Sequence, residues 1–247
     1  MRVLLIIPAY NEQQALGGLL SEIQALPRTD GVQLEALVVD DGSSDRTAEV
    51  AQAAGARVLR LCRNLGIGGA VQSGLRLAYR ENFDAAVQID GDGQHPPSEL
   101  HSLLAPVREP NAPDLIVGTR YRSKENFRST LLRRLGSWWL RVILRVLARV
   151  RVSDPTSGYR VYGPRALRLF DETYPYDFPE PESLAIAKAA GLKVSEVPVT
   201  MRERQGGTSS IAGFSTIYYM FKVTIAVALT YMRALRWKAK TDDSRSD

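Results

Sequence analysis

The sequence contains very little cysteine and histidine. Among its 247 residues are one cysteine, Cys62, and two histidines, His95 and His101. A lone cysteine excludes an intramolecular disulfide, and the Cys and His spacing typical of a zinc site is absent. We expect Cys62, which follows an apolar segment, to pack as a small hydrophobic side chain. Neither histidine is predicted to be catalytic, and His95 is expected to brace the loop that contains it.

The sequence also lacks a clear targeting or membrane-spanning segment. An apolar run predicted to be a core strand begins at residue 3, so no signal peptide is expected. A later stretch, residues 217–235, has fifteen apolar or aromatic residues, but Lys222 and Arg233 leave only ten residues between them. We expect this helix to lie in a membrane interface or on a membrane partner. A single span whose two charged side chains snorkel is the alternative.

Size and composition predict one main domain with an appendage. The chain is 45% hydrophobic, which is enough to bury one core at this length, and it contains no internal repeat. We expect a main α/β domain over residues 1–210, a membrane-associated apolar helix over 211–240 and a disordered, charged tail over 241–247.

Short apolar strands alternate with amphipathic helices in the first half of the chain. The apolar runs are residues 3–8, 34–39, 56–61 and 85–89. This alternation predicts an α/β fold with a mostly parallel sheet, whose ligands bind beyond the carboxyl ends of the strands. Polar clusters follow three of the strands, at residues 8–12, 40–45 and 90–94. We therefore expect these clusters to meet on one rim of the sheet as a functional site.

The most informative cluster is an Asp-x-Asp sequence formed by Asp90 and Asp92. Residues i and i+2 of an extended backbone point the same way, so the two carboxylates can converge on one ligand. Glycines at positions 91 and 93 allow a tight turn and the close approach of a ligand. Two carboxylates with Gln94, and without a Cys or His cluster, suit Mg²⁺ or Mn²⁺. An isolated Asp-x-Asp is often a solvated turn, but the other two clusters favour a metal site.

Positive charge is concentrated in one part of the chain. Residues 120–151 contain ten Arg or Lys residues and one acid, Glu125, so this belt carries +9 while the whole chain carries +5. Arginines recur every four residues from Arg141 to Arg149, in a helical pattern that also contains two adjacent tryptophans. A basic amphipathic helix with tryptophans is typical of an anionic membrane surface. A core helix with solvated arginines is the alternative, and nucleic acid is not expected as a partner.

Taken together, four segments resemble the family 2 glycosyltransferases of GT-A fold. They are IPAYNE at 7–12, VVDDGSSD at 38–45, RNLGIGGA at 63–70 and DGDGQ at 90–94. The continuation QHPP at 94–97 and the short length most resemble the polyprenyl-phosphate sugar synthases, such as those that make dolichol-phosphate mannose. The resemblance covers about residues 1–210 and implies a Rossmann-like, mostly parallel sheet flanked by helices, which would be the catalytic domain.

This resemblance also implies roles for individual residues. Binding of the nucleotide-sugar falls on Pro8, Tyr10, Glu12, Val38, Asp40, Asp90, Gly91, Asp92 and Arg204. The acceptor phosphate would be held by Arg120, Arg133 (or its neighbour Arg134) and Ser137. The metal would be held by Asp90, Asp92 and Gln94, and the residues assigned to catalysis are Asp90, Asp92 and Arg120. In the late loop at 201–210, Ser210 stands where the family usually has lysine.

The implied activity is that of a metal-dependent, inverting hexosyltransferase that moves a sugar from a nucleotide-sugar to undecaprenyl or dolichyl phosphate. Such an acceptor is already an anion, so it needs cations to hold it rather than a general base. A UDP-sugar is slightly favoured over GDP-mannose because of Ser210. The implied location is the cytoplasmic face of a membrane, with peripheral or weak anchoring. A small membrane-anchor protein is a candidate partner, and a homo-oligomer is left open.

Two other functions remain open on the sequence alone. If the acceptor is a saccharide hydroxyl, as in polysaccharide synthesis, a carboxylate must remove its proton. Glu180 and Glu182 are then the candidates, although the family's Glu-Asp pair is missing and Glu182 also suits the start of a helix. A non-catalytic nucleotide-sugar-binding subunit of a membrane complex is the alternative of another class. A dinucleotide oxidoreductase is excluded, because the glycines at 66–69 have the wrong spacing.

Overall fold

The structure is a computed structural model, and it describes residues 1–27, 29, 31–121, 131–202 and 215–243. Within this part, the side chains of residues 131–135, 215–219 and 236–243 are not described. Arg204, the late loop at 203–210 and the tail at 244–247 lie outside the described residues. Arg133 is described as part of a helix, without its side chain.

A seven-stranded, mostly parallel sheet forms the centre of the fold. The strands are β1 (Arg2–Ala9), β2 (Gln33–Asp40), β3 (Arg57–Arg60), β4 (Ala85–Gln88), β5 (Leu115–Thr119), β6 (Arg160–Tyr162) and β7 (Val194–Pro198). They lie in the order β3-β2-β1-β4-β6-β5-β7. Among these described strands, β6 runs antiparallel to its neighbours β4 and β5, and the other pairings are parallel. The predicted type of sheet is therefore confirmed.

Helices cover both faces of this sheet. They are α1 (Gln13–Gln24), α2 (Thr47–Ala53), α3 (Gly66–Arg80), α4 (Leu100–Leu104), α5 (Leu131–Leu147), α6 (Pro164–Thr173), α7 (Pro179–Ala189) and α8 (Ser215–Asp243). Two 3₁₀ turns, Pro97–Glu99 and Ala105–Arg108, flank α4. Side chains of α1 and α4 cover one face, and those of α3, α5, α6, α7 and α8 cover the other.

The central strand β1 is apolar on both faces, which explains its uninterrupted hydrophobic sequence. Leu4 and Ile6 pack against the cluster that includes α3 and α6, while Val3, Leu5 and Ile7 pack against the cluster that includes α1. A parallel strand buried on both sides has no solvent-facing side and therefore no polar alternation. Burial of each such side chain stabilises the fold by roughly 1.5–3 kcal/mol. This burial fixes the strand whose end carries the first polar cluster.

The C-terminal helix α8 packs on the domain through one of its faces. Val223 and Val227 are buried in the same cluster as Leu140 of α5. The indole N–H of Trp139 donates to the Thr224 hydroxyl at 3.0 Å. Among the helices of the described residues, none is both long and apolar enough to cross a membrane. The helix predicted near 217–235 is confirmed, and it packs on the core through Val223 and Val227.

Two expectations from the sequence are wrong in detail. Cys62 is exposed rather than packed, because it follows the edge strand β3 after that strand has ended at Arg60. The recurring arginine pattern does not continue on one helix face, since α5 ends at Leu147 and Arg149 adopts a positive φ of 54°. The helix α8 extends to Asp243, and the disordered tail expected over 241–247 stays a prediction.

Candidate active site

The loops after β1 and β2 are tied together by hydrogen bonds. The Asn11 N–H donates to Ser43 Oγ at 3.0 Å, and the side-chain oxygen of Asn11 accepts from the Ser44 N–H at 2.9 Å. The Glu12 N–H donates to Thr47 Oγ1 at 2.9 Å. Asn11 has a φ of 57°, in the left-handed region that asparagine tolerates. Two of the three predicted polar clusters therefore form one continuous surface.

Asp41 holds a third segment against this surface. Its carboxylate accepts from the N–H groups of Leu65 and Gly66, at 2.7 and 2.9 Å. Burial raises the pKa of Asp41, while the two hydrogen bonds oppose that rise. A side chain at Gly42 would come within 2.8 Å of the Arg63 backbone, so glycine is needed for this close approach. Asp41 is thus a structural anchor between β2 and the start of α3.

Asp40, the last residue of β2, presents a carboxylate oxygen without a hydrogen-bond donor. Its Oδ1 accepts from the Ser43 N–H at 2.9 Å. Its Oδ2 is buried and has no hydrogen-bond partner among the described residues, although Arg60 Nε lies 3.3 Å away as an ion pair. Leaving a buried acceptor unsatisfied costs about 1–3 kcal/mol. A hydrogen-bond donor on a bound ligand would offset this cost.

Asp90 and Asp92 lie in a turn that hydrogen bonds hold in one conformation. The Asp90 N–H donates to His95 Nδ1 at 3.0 Å, so the predicted bracing role of His95 is confirmed. The Gln94 N–H donates to Asp92 Oδ1, also at 3.0 Å. Asp92 is 4% exposed, whereas Asp90 is half-buried. The loop therefore fixes one carboxylate inside the turn and leaves the other more accessible.

This turn packs directly against the end of β1. Gly93 has a φ of 78°, which a residue with a side chain rarely adopts. A side chain at Gly91 would come within 3.1 Å of the Pro8 carbonyl oxygen. The Ile89 N–H continues the sheet by donating to the Ile6 carbonyl at 2.9 Å. The third polar cluster thus meets the other two at the carboxyl ends of β1, β2 and β4, as predicted.

The segment that precedes β6 supports the Asp90 turn from the other side. The ring of Tyr159 stacks on His95 with centroids 4.8 Å apart, and its hydroxyl donates to the Pro96 carbonyl at 3.1 Å. A Cβ at Gly158 would come within 3.0 Å of both carboxylate oxygens of Asp90. Because this position has no side chain, the Asp90 carboxylate can lie against the backbone there.

Arg120 follows β5, as predicted, and it forms a bidentate pair with Asp154. Its Nε and Nη2 donate to the two carboxylate oxygens at 2.7 and 2.8 Å, and Nη2 also donates to Thr156 Oγ1 at 3.1 Å. Asp154 is fully buried. Burial of the guanidinium tends to lower the pKa of Arg120, but the bonds and charge of Asp154 outweigh it and raise the pKa, with a smaller contribution from Asp90. Arg120 and Asp90 therefore belong to one electrostatic site.

A buried arginine, Arg160, ties the same segment to α7. Its guanidinium donates to the Ser157 carbonyl at 2.7 Å, the Pro155 carbonyl at 3.2 Å and Ser183 Oγ at 2.7 Å. Arg160 has no exposed surface, and hydrogen bonds of this kind are what allow a charged group to stay buried. Arg160 thus fixes the 154–158 segment, which holds Arg120 at one end and packs on Asp90 at the other.

A chain of polar side chains lies behind Asp90. Gln88 Nε2 donates to Asp90 Oδ1 at 3.4 Å, and Gln88 Oε1 accepts from the Tyr162 hydroxyl at 3.0 Å. The Tyr162 and Tyr174 hydroxyls are 3.2 Å apart. Burial raises the pKa of both tyrosines, so they remain protonated donors at neutral pH.

The two glutamates at the start of α7 differ in their surroundings. Glu182 accepts from the Phe178 N–H at 3.1 Å and from the Thr230 hydroxyl of α8 at 2.5 Å, which fits the predicted helix-start role. Glu180 is half-buried, and burial raises its pKa, while Arg160 lowers it and Asp90 raises it further. Glu180, rather than Glu182, therefore shares the electrostatic environment of the Asp90 turn.

The remaining predicted donor-site residues are positioned as follows. Tyr10 is exposed directly after β1, and Glu12 is half-buried before α1. Val38 is fully buried two residues before the end of β2, where its side chain contributes to the core facing α1 rather than to the rim. The Arg202 N–H donates to the Gln94 carbonyl at 3.0 Å. The chain therefore reaches the Asp90 turn two residues before Arg204, which lies outside the described residues.

On the acceptor side, α5 confirms the predicted helical spacing of Arg133 and Ser137. Ser137 is 6% exposed, and its hydroxyl has no hydrogen-bond partner among the described residues. The side chain of Arg133 lies outside the description. The structure thus brings Arg120 close to the residues around Asp90 that are predicted to bind the nucleotide-sugar. The position of the Arg133 side chain stays a prediction.

Asp90, Asp92 and Gln94 fit a divalent cation that takes its remaining ligands from a bound substrate. Within the residues that the structure describes, no cluster of three or more His, Cys, Asp or Glu side chains is arranged to hold a metal ion. Asp90, Asp92 and Gln94 provide two carboxylates and an amide. Mg²⁺ is usually bound by one or two carboxylates together with substrate phosphates and water. The residues present therefore fit a metal bound together with a diphosphate, rather than a site made by protein ligands alone.

Several supporting residues were not identified from the sequence. Asp154, Gly158 and Arg160 occupy a short segment without apolar periodicity, and Gln88 lies inside a strand. Their importance depends on pairing across the sheet, where Gln88 lies opposite Arg160. The sequence signal that could have identified them is an acid, a glycine and an arginine within seven residues, at the start of a short strand.

Comparison with known proteins agrees with this geometry. The model of the family described as "Glycosyl transferase family 2" matches residues 4–169. An undecaprenyl-phosphate mannosyltransferase from Micrococcus luteus is 34% identical over 86% of this chain and 88% of its own. A polyprenol monophosphomannose synthase from Mycolicibacterium smegmatis is 33% identical over 90% of this chain and 85% of its own.

Solved structures agree on the fold. Glucosyl-3-phosphoglycerate synthase from Mycobacterium tuberculosis, in complex with Mn²⁺, UDP and glucosyl-3-phosphoglycerate, superposes with a TM-score of 0.69 at 21% identity. The match covers 95% of this chain and 80% of the synthase chain. The expected GT-A type of fold is thereby confirmed. Since the family model spans well over half of the sequence, the chain belongs to glycosyl transferase family 2.

Proposed function

We propose that this protein is an inverting glycosyltransferase that moves a sugar from a nucleotide-sugar to a polyprenyl phosphate at a membrane surface. One observation carries the proposal. In the 154–158 segment, Asp154 accepts two hydrogen bonds from Arg120, and Gly158 lies against the Asp90 carboxylate. Arg120, a cation suited to an acceptor phosphate, is thereby held beside Asp90 and Asp92, which are suited to binding the nucleotide-sugar donor. The names of the Micrococcus luteus and Mycolicibacterium smegmatis relatives support the same class of acceptor.

On the donor side, the chain's own residues bind and orient the nucleotide-sugar. The buried Asp40 carboxylate accepts from the nucleoside, and Tyr10 and Glu12 flank it on the same rim. Asp90, Asp92 and Gln94 would hold Mg²⁺ or Mn²⁺, which when bound neutralises the departing diphosphate. Gln88 and His95 keep the Asp90 turn in place during the reaction. Arg204 is proposed to contact the diphosphate from the late loop.

On the acceptor side, a phosphate oxygen attacks the anomeric carbon while the bond to the nucleoside diphosphate breaks. The attacking oxygen is already negatively charged, so the reaction needs positioning rather than proton removal. Arg120, Arg133 and Ser137 are proposed to supply that positioning. A single in-line displacement inverts the anomeric configuration, so an α-linked donor gives a β-linked product.

Exposed apolar side chains support docking at a membrane surface. Trp138 of α5 is 52% exposed, and Phe221, Leu229 and Met232 of α8 are exposed on the face opposite to the buried Val223 and Val227. Apolar side chains on two neighbouring helices within a basic region suit the interface of an anionic membrane. We propose peripheral attachment at the cytoplasmic face. Attachment through a small membrane-anchor protein is the further possibility, which co-purification from membranes would test.

The identity of the donor is proposed as a UDP-sugar ahead of GDP-mannose. The decisive experiment crosses a panel of UDP-, GDP- and dTDP-sugars with polyprenyl phosphate and with a saccharide acceptor, with and without Mn²⁺. We expect transfer to polyprenyl phosphate alone, loss of transfer in excess EDTA and recovery with Mn²⁺ or Mg²⁺. Full activity in EDTA would contradict the metal assignment. Binding without turnover for every pair would favour the non-catalytic subunit.

A second candidate is transfer to a saccharide hydroxyl, and the position of Glu180 favours it. Glu180 lies in the environment of Asp90 with a raised pKa, and a general base works best when its pKa is near the operating pH. Two variants separate the candidates. A phosphate acceptor predicts that Arg133→Ala raises the acceptor KM while Glu180→Gln keeps most of the kcat. A hydroxyl acceptor predicts that Glu180→Gln is inactive while Arg133→Ala is normal.

A further inference from the structure

One face of α5 carries two buried polar atoms that have no hydrogen-bond partner among the described residues. Ser137 and Arg141 are four residues apart, so they lie on the same side of the helix, one turn from each other. The Ser137 hydroxyl and Arg141 Nε are both buried and have no hydrogen-bond partner in the part of the chain that the structure describes. Buried polar atoms normally find a partner. Two such atoms side by side on a helix therefore indicate a missing polar ligand.

The same face of α5 approaches the residues after β5. The guanidinium carbon of Arg141 lies 5.8 Å from the centre of the Tyr121 ring. The guanidinium carbon of Arg120 lies 5.9 Å from the centre of that ring. Two guanidinium groups thus lie against one aromatic ring. Because Asp154 compensates the charge of Arg120, an anion bound between them would draw mainly on Arg141.

Arg120 alone supplies little net charge to such an anion. Its Nε and Nη2 are committed to Asp154, a fully buried carboxylate that compensates its charge. A phosphate monoester carries between one and two negative charges at neutral pH, and it binds well to an arginine that can present two parallel N–H groups. The described residues offer Arg141, whose Nε is unoccupied, as the neighbouring arginine of that kind.

We propose that Arg141 is a further binding residue for the acceptor phosphate and acts together with Ser137 and Arg120. This inference rests on the proposed function, since it names how the same acceptor is held. Arg141 supplies a positive charge that has no ion-pair partner among the described residues, together with a fork of N–H donors. Ser137 supplies a hydroxyl, and Arg120 is kept in place by Asp154. The resemblance to the family assigns the phosphate to Arg120, Arg133 and Ser137, without Arg141.

The alternative role for Arg141 is attraction to anionic lipid, and Arg145 provides the comparison. Arg145 lies one turn further along α5 and is exposed, whereas Arg141 is half-buried with a buried Nε. A cation that serves only the lipid surface should affect vesicle binding and leave a water-soluble acceptor untouched. A cation that binds the acceptor phosphate should affect that soluble acceptor directly.

The experiment uses a short-chain, water-soluble polyprenyl phosphate in buffer without lipid or detergent micelles. The full-length chain is compared with Arg141→Gln, Arg141→Lys and a charge-matched control, Arg168→Gln, at an exposed position on α6. We expect Arg141→Gln to raise the acceptor KM at least tenfold, with kcat changed less and with nucleotide-sugar affinity unchanged in calorimetry. Arg141→Lys should recover part of the loss, and Arg168→Gln should match the wild type.

Folding is controlled by thermal unfolding of each variant and by calorimetric binding of the short-chain phosphate in the absence of donor. Weaker binding to a folded Arg141→Gln protein would support the proposal independently of turnover. An unchanged acceptor KM, together with a loss of binding to phosphatidylglycerol vesicles in both Arg141→Gln and Arg145→Gln, would overturn it. Wild-type protein that transfers sugar to a saccharide but not to any polyprenyl phosphate would instead overturn the proposed function, and this inference with it.

Discussion

Two parts of the site differ in what holds their polar groups. One is the rim at the carboxyl ends of β1, β2 and β4, and the other, called the wall, is formed by β5 and α5. On the rim, backbone N–H groups fix the side chains of Asp41, Asn11 and Asp92. On the wall, a buried carboxylate fixes Arg120, and α5 carries polar atoms with no partner among the described residues. The rim is a preformed acidic site, whereas the wall is a cationic site that a ligand would complete.

This difference matches the chemistry proposed for each side. A nucleotide diphosphate with a divalent cation needs carboxylates fixed in advance, because preorganised charges do not have to reorient during the reaction. A lipid phosphate that arrives from a membrane needs cations near the helices that are proposed to face the membrane. The predictions below test the two sides separately, from the largest expected effect to the smallest.

Asp92→Asn should abolish the function of the rim. Replacing this carboxylate by an amide leaves the diphosphate charge poorly compensated, so we expect transfer to fall by about a thousandfold. Initial rates at saturating Mn²⁺ measure the effect, and thermal unfolding checks the fold. Asp84→Asn, beyond the opposite end of β4, is the matched control and should keep nearly full activity. Equal losses in both variants would mean that the rim has no special role.

Asp154→Asn should impair acceptor binding at the wall and leave nucleotide binding at the rim unchanged. Breaking a buried ion pair by removing one partner destabilises a protein by about 3–5 kcal/mol, and Arg120 would lose its fixed position. We expect a lower free energy of unfolding in urea and about a hundredfold loss of transfer, mainly through the acceptor KM. In a double-mutant cycle with Arg120→Lys, the losses should not add, because both changes break the same pair. Additive losses would show that Asp154 and Arg120 act independently.

Asp40→Ala should weaken nucleotide binding at the rim and leave acceptor binding at the wall unchanged. The variant removes the buried carboxylate oxygen that has no hydrogen-bond donor in the described part of the chain, and we expect nucleotide affinity to fall about tenfold, as for a lost hydrogen bond to a charged group. Calorimetric titration with the nucleotide measures the change. Binding of the soluble acceptor phosphate should be unaltered, and an unchanged nucleotide affinity would move the base pocket elsewhere.

Glu180→Gln should have its main effect on the pH dependence of stability. Burial raises the pKa of Glu180 above 4.5, so the folded protein holds this proton more tightly than the unfolded chain. The stabilising contribution is therefore fully present below pH 4.5 and is lost as pH rises through the folded-state pKa. We expect Glu180→Gln to reduce this loss in urea unfolding between pH 4.5 and neutral pH. Glu182→Gln, which keeps only one of the two oxygens that accept from Phe178 and Thr230, should instead lower stability at neutral pH.

Most of the rim could be predicted from the sequence. Each of its clusters follows an apolar strand, and the carboxyl ends of neighbouring parallel strands meet at one edge whatever the details of packing. The turn of Asp90 and Asp92 and the bracing by His95 depend on residues close in sequence. Local spacing was therefore enough to identify them.

The wall could be predicted only in part. The type and spacing of Arg120, Arg133 and Ser137 were recognised, but the partner of Arg120 lies 34 residues away in sequence. The same limit applies to the two glutamates of α7. Glu182 accepts a hydrogen bond from Thr230 on α8, whereas the pKa of Glu180 is raised by burial, lowered by Arg160 and raised by Asp90.

The sequence by itself determined the sheet type, the family resemblance and the carboxylate rim. These follow from apolar periodicity and from polar residues next to each strand end. The tertiary structure decided which charges are compensated. It paired Arg120 with Asp154, buried Arg160 against the 154–158 segment and left the Ser137 hydroxyl and Arg141 Nε without hydrogen-bond partners among the described residues. Compensation depends on distances between residues far apart in the chain, and those distances are set by the antiparallel insertion of β6 and by the packing of α5 and α8.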